Sequence, residues 1–136
     1  MEFRPIGYVR NEIERRMDRE RVLETVSEIE LLPEYEEGLY RIEWHAELDV
    51  LFHLDRSRDY EMVIRPRGDP SNPEVGVFGT RSPRRPNGIG VTRVKLIEHR
   101  GNKLLVKGLD AMNGSPIIDI KCVSWPPANM PEGQKD

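Results

Sequence analysis

Three arginines, two prolines and four glycines crowd the sixteen-residue stretch from Gly76 to Val91, GVFGTRSPRRPNGIGV. Pro83 and Pro86 each fix φ, Gly88 and Gly90 permit close backbone approach, and Arg81, Arg84 and Arg85 project cations from the stiffened frame. A guanidinium held in a fixed frame suits bidentate capture of phosphate or carboxylate, and it stacks on a flat base. The stretch therefore points to an anionic ligand without naming one.

The charge distribution points the same way. Residues 1–64 carry 9 Lys and Arg against 17 Asp and Glu, residues 65–95 carry 7 against 2, and residues 96–136 carry 5 against 5. A basic centre thus interrupts a chain whose formal net charge is -3. Local charge decides what binds where, so an anionic partner is expected at that centre. A loop of solvated arginines would give the same composition.

Other chemistry-bearing residues read more plainly. The chain has no GxGxxG, no GxxxxGK[ST], no HExxH and no Cys/His cluster, so phosphate-loop and zinc readings fail and no metal is expected. His45 and His53 stand eight apart and suit core or surface roles. Asp110 and Asp119 bracket the turn Asn113-Gly114, as turn and strand-end carboxylates do. The single cysteine, Cys122, lies in the apolar run Ile117 to Val123 and reads as a packing residue.

The elements that would position these residues are short. Ile6 to Val9, Leu48 to Leu54, Tyr60 to Arg65, Val75 to Phe78, Val91 to Ile97, Leu104 to Val106 and Ile117 to Val123 read as strands. Leu23 to Leu31 alternates with period two and reads as a half-exposed strand. Glu12 to Arg21 reads as a solvated helical turn or a loop, and Pro33 to Leu39 as a helical turn opened by Pro33. His99 to Asn102 marks a hairpin, and three prolines from Pro66 to Pro73 mark a long connection. Such strands, without long amphipathic helices, predict an all-β fold: a small single-domain β-barrel with short helical turns and long loops over residues 1–125, and a disordered Pro/Gly tail over 126–136. No apolar run reaches the roughly 18 to 20 residues of a spanning helix, and the N-terminus has no signal-peptide pattern. A cytoplasmic location without membrane contact is the expectation.

Gly76 to Val91, with Val94 and Leu96 beyond, resembles the signature GVFATRSPxRPNPIGLSxVxL of the TrmO (YaeB-like) family of S-adenosylmethionine-dependent tRNA methyltransferases. A second block, Gly108 to Lys121, is similar to the family's GxDxxDGTPxxDIKP. Gly88 stands where the family has Pro, Asn113 where it has Asp, and Cys122-Val123 where Pro-Tyr commonly follows. The family's N-terminal Pro-containing cofactor loop has no recognisable counterpart in Arg15 to Glu20.

The resemblance implies a β-barrel methyltransferase, acting as a homodimer with S-adenosyl-L-methionine near the subunit interface. It also implies tRNA as substrate, at N6 of the threonylcarbamoyladenosine beside the anticodon. Carried over, the cofactor contacts fall on Phe52, His53, Arg81 and Val91 and on Asp110, Ala111, Met112 and Asn113. In that reading Phe52 packs on adenine, Arg81 answers the methionyl carboxylate, Asp110 takes ribose hydroxyls or the amine, and Arg84 and Arg85 meet RNA phosphate or the threonyl carboxylate. No residue declares itself as a catalytic base, and Asp119 is the candidate. The alternatives are a methyltransferase of the same fold acting on another RNA or a small molecule, and a cofactor- or RNA-binding barrel without catalysis.

Overall fold

The computed structural model describes residues 1–15, 17–55 and 59–133. The described residues form eight strands: β1 (Gly7–Arg10), β2 (Val26–Leu31), β3 (Glu47–His53), β4 (Val63–Ile64), β5 (Val75–Gly76), β6 (Ile89–Arg100), β7 (Lys103–Lys107) and β8 (Pro116–Cys122). Six close into an antiparallel barrel in the order β1-β2-β7-β6-β3-β8, and β4 and β5 form a separate ribbon. No helix among the described residues is long and apolar enough to cross a membrane.

Alternation decides what fills the barrel. Leu48, Val50 and Phe52 of β3, Ile29 and Leu31 of β2, Leu104 and Val106 of β7, Val94 of β6 and Ile117 of β8 turn inward into one core. Ser27 also faces in, and it is satisfied there because Asn11 Nδ2 donates to its hydroxyl at 2.9 Å. Gly7 brings β1 so close to β2 that a Cβ would meet Glu30 O and stand 2.8 Å from Leu31 Cα.

β6 organises the site, because its twelve residues are shared between two neighbours. Ile89 to Lys95 pair with β3, whereas pairing with β7 starts only at Lys95. The first half of β6 therefore runs past the end of β7, and among the described residues no strand covers its second edge.

Several expected elements shift. The strand expected from Leu23 starts only at Val26, because Arg19–Glu24 is a helix, α1, capped by Asp18, whose Oδ1 accepts the Arg21 N–H at 3.0 Å. An Asp N-cap satisfies an otherwise orphaned helical donor, which period-two reading does not weigh. The strand expected over Tyr60 to Arg65 shrinks to Val63–Ile64, and the one over Val75 to Phe78 ends at Gly76, where Val77–Gly79 tightens into a 3₁₀ turn. Cys122 is exposed rather than packed in the core, since it is the last residue of β8. After Pro126 the chain is tied back, with Met130 buried and the Asn129 N–H donating to Trp44 O at 2.8 Å. Residues 134–136 of that tail, and Arg16, lie outside the described residues.

Candidate cofactor and anion site

The ladder between β3 and β6 sets which backbone groups are free. Leu54 N–H donates to Gly88 O at 2.7 Å and Leu96 N–H to Ala46 O at 3.0 Å. Antiparallel pairs alternate between bonded and unbonded, so the even-numbered residues from 88 to 96 turn their N–H and C=O toward β3. Val91 and Arg93 turn theirs outward, to the edge that β7 does not reach.

Arg81 occupies that edge, its Nη1 donating to Val91 O at 3.1 Å. One residue along, Asp110 N–H donates to Thr92 Oγ1 at 3.4 Å. Leu109 and Ala111 are buried, which clamps the segment on both sides of the exposed Asp110. The structure thus brings Arg81, Val91 and Asp110 together from three parts of the chain, with exposed His53 opposite Ile89 on the same ladder.

Phe52 lies inside the barrel. It is only 3% exposed, and its ring lies under Gly90, where a Cβ would stand 2.6 Å from Cζ. Its role is to fill the core beneath the edge, and Ile89 and Val91 are the apolar side chains exposed above.

The basic loop is held by its own hydroxyls. Thr80 Oγ1 donates to Val77 O at 2.8 Å and accepts from Ser82 N–H at 3.2 Å, and Ser82 Oγ accepts from Arg84 N–H at 3.2 Å. Arg85 folds its Nη1 back onto Thr80 O and Ser82 O, both at 3.1 Å. Arg84 instead meets a carboxylate, Nη2 to Glu61 Oε1 at 3.1 Å, while Glu61 N–H donates to Arg84 O at 3.3 Å. Arg81 and Arg85 are therefore fixed by neutral carbonyls, with no carboxylate in ion-pair range among the described residues. Their charge and remaining donors stay available.

The second motif block is anchored by Asn11, a residue the sequence reading passed over. Its N–H donates to Asn113 Oδ1 at 3.1 Å, and its Nδ2 reaches Ala111 O at 2.8 Å as well as Ser27. Asn113 N–H donates to Ile13 O at 2.7 Å and its Nδ2 to Glu14 Oε1 at 3.3 Å. Met112 O accepts both the N–H and the hydroxyl of Ser115. Ala111, Met112 and Asn113 thus shape the segment, and Asp110 is its exposed member. Thr92 was likewise missed, although a hydroxyl residue one position after Val91 matches the serine of the signature.

Asp119 does not join the cluster. It lies opposite Leu51, which lies opposite Val91, so two strand spacings, about 10 Å, separate it from Val91. Its Oδ2 pairs with Lys121 Nζ at 3.1 Å. On the neighbouring outward row Asp49 holds Arg93 at 3.1 Å, and that hydrogen bond raises the Arg93 pKa. Among the described residues no three His, Cys, Asp or Glu stand so as to hold a metal. A concavity of about 580 Å³ lies toward the other end of β6, between His45, Lys95 and His99, away from Arg81. The candidate site is an open strand edge on this chain.

Fold and site together define a closed six-stranded barrel bearing a fixed cationic loop on the uncovered edge of its longest strand. The chain belongs to the family of the tRNA-methyltransferase O N-terminal domain, whose profile matches residues 14–125. An S-adenosyl-L-methionine-binding protein of Archaeoglobus fulgidus is 40% identical over 124 residues, 89% of this chain and 88% of that protein. A second protein of that organism, described as a probable S-adenosyl-L-methionine-binding protein, is 52% identical over 99 residues; these are 72% of this chain but only 26% of that one. The crystal structure of TrmO from Pseudomonas aeruginosa superposes with a TM-score of 0.73 at 27% identity, over 98% of this chain and 61% of that chain.

Proposed function

We propose that the protein is an S-adenosyl-L-methionine-dependent methyltransferase acting on tRNA, at N6 of threonylcarbamoyladenosine beside the anticodon. The observation that carries this reading is the pair Arg81 and Arg85, two guanidinium charges held by carbonyls beside an open strand edge. Both cofactor and substrate present the anions such charges take: a methionyl carboxylate, a threonyl carboxylate and phosphates.

The residues fit the cofactor in kind. Arg81 would hold the methionyl carboxylate, Asp110 would take ribose hydroxyls or the amine, and the exposed Ile89 and Val91 would offer adenine an apolar surface. The cofactor supplies a methyl group on a sulfonium, a strong leaving group, so the protein's work is alignment and exclusion of water. Arg85 and Arg84 orient the RNA. No strand among the described residues covers the edge, which leaves room for a facing wall from a second copy, and this supports a homodimer. Titration with S-adenosylhomocysteine in a calorimeter, followed by transfer of labelled methyl to tRNA, tests the reading. Saturable binding with transfer to unmodified RNA alone would reject the named substrate, and binding without any transfer would reject the enzyme.

Within this reading Glu61 opposes RNA binding by neutralising Arg84. Glu61→Gln keeps an oxygen acceptor for Arg84 and removes the charge. It is expected to tighten tRNA binding several-fold and to steepen its salt dependence by about one phosphate contact. Affinity measured across a salt series checks this, and an unchanged slope counts against it.

A further inference from the structure

Two exposed aromatic residues that the cofactor and phosphate contacts leave unused flank the ribbon in sequence, Tyr60 ahead of β4 and Phe78 just after β5. Phe78 is 70% exposed and Tyr60 is 57% exposed. The exposure of Phe78 is built into its turn. Val77, its neighbour, is fully buried, and Thr80 closes the turn onto Val77 O with both its N–H, at 3.1 Å, and its hydroxyl, at 2.8 Å. With Val77 pinned inward, Phe78 faces solvent.

The ribbon also links these aromatics to the cations. Val63 pairs with Gly76, and Val77 N–H donates to Met62 O at 2.9 Å, so Phe78 directly follows, and Glu61 directly precedes, a residue of that backbone bond. Glu61 is in turn bound to Arg84 through backbone and side chain. Tyr60 is thus the sequence neighbour of the residue bound to Arg84, Phe78 is the neighbour of Val77, and Arg81 and Arg85 follow Phe78 within the same loop.

We infer that Tyr60 and Phe78 form a stacking platform for unpaired nucleobases that flank the reacting nucleotide. This rests on the reading of the basic loop as an RNA contact. Aromatic faces interleaved with uncompensated guanidinium groups match single-stranded RNA, which offers both base faces and phosphates. A duplex hides its base faces and offers phosphates, 2′-hydroxyls and base edges instead. A purely apolar partner would leave the charges of Arg81 and Arg85 unanswered.

The test uses Phe78→Leu and Tyr60→Leu, which keep apolar bulk and remove the ring, with Phe78→Tyr as the conservative rescue. Fluorescence anisotropy is measured with a labelled anticodon stem-loop and with a fully paired RNA of the same length. Each leucine variant is expected to lose roughly 5- to 150-fold in affinity for the stem-loop. Phe78→Tyr restores binding, duplex binding stays within about twofold, and the melting temperature and S-adenosylhomocysteine affinity do not move. Equal losses on duplex and stem-loop overturn the platform. So does a change in sedimentation mass without a change in RNA affinity, which assigns the aromatics to a second copy of the chain. If Arg85→Ala weakens stem-loop binding and both leucine variants leave it intact, the platform fails alone. If wild-type protein binds S-adenosylhomocysteine but neither RNA, the RNA reading fails and takes the platform with it.

Discussion

Replacement of Arg81 by alanine is expected to lower S-adenosylhomocysteine affinity by about 30-fold or more, the cost of truncating one partner of a close charge pair. The guanidinium has two tasks. One Nη donates to Val91 O at 3.1 Å, which fixes its direction, and the rest of the fork is free for a carboxylate. Lysine has the charge without the planar fork, so Arg81→Lys is expected to recover only a small part of the loss. Folding should barely respond, because the hydrogen bond to Val91 is exposed and such bonds contribute about 1 kcal/mol. Calorimetry of the three proteins, with a thermal melt as control, decides the matter. Undiminished binding by Arg81→Ala would place the cofactor elsewhere.

The second large effect concerns the barrel. A Cβ on Gly7 would run into Glu30 O and would stand 2.8 Å from Leu31 Cα. Both obstacles are backbone or backbone-attached atoms of β2, which β7 holds on its other side from Val26 to Glu30. β2 therefore cannot retreat without loosening that second ladder. Gly7→Ala is expected to cost about 3 kcal/mol, at the upper end of overpacking, and to lower the melting temperature by about 10 °C. Gly38→Ala, where a new Cβ meets nothing within 4 Å, is the matched control. Circular dichroism melts of the two variants read the difference directly. Equal melting temperatures would mean that β1 and β2 lie farther apart than described.

Much of the barrel was legible in the sequence because its strands obey one simple rule. Apolar runs marked β3 and β7, whose buried and less buried residues alternate in the fold, and in β2 Ser27, Ile29 and Leu31 turn inward as the period-two pattern indicated. The error at Leu23 and Glu24 has a local cause, since a six-residue helix is too short to display its period and is set instead by the Asp18 cap. Cys122 was misread because apolar neighbours say nothing about where a strand leaves the barrel. For the site, resemblance supplied Arg81 and Asp110, while the partners that hold them came only with the fold. Thr92, Asn11 and Glu61 are ordinary residues in ordinary contexts, made important by distant chain segments arriving beside them.

The transfer of β6 from one neighbour to the other at Lys95 divides its amide protons into two populations. Those of Gly90 and Thr92 are locked in the ladder with β3, so they trade with deuterium only when the barrel opens. Those of Val91 and Arg93 face the edge on which no strand among the described residues pairs with them, so they are expected to trade faster, a two-residue alternation of slow and fast labelling along one continuous strand. Anything that settles on this edge, whether small molecule or second subunit, would shield the fast set and leave the slow set as it was. A single strand thus carries both a gauge of its own integrity and a gauge of occupancy.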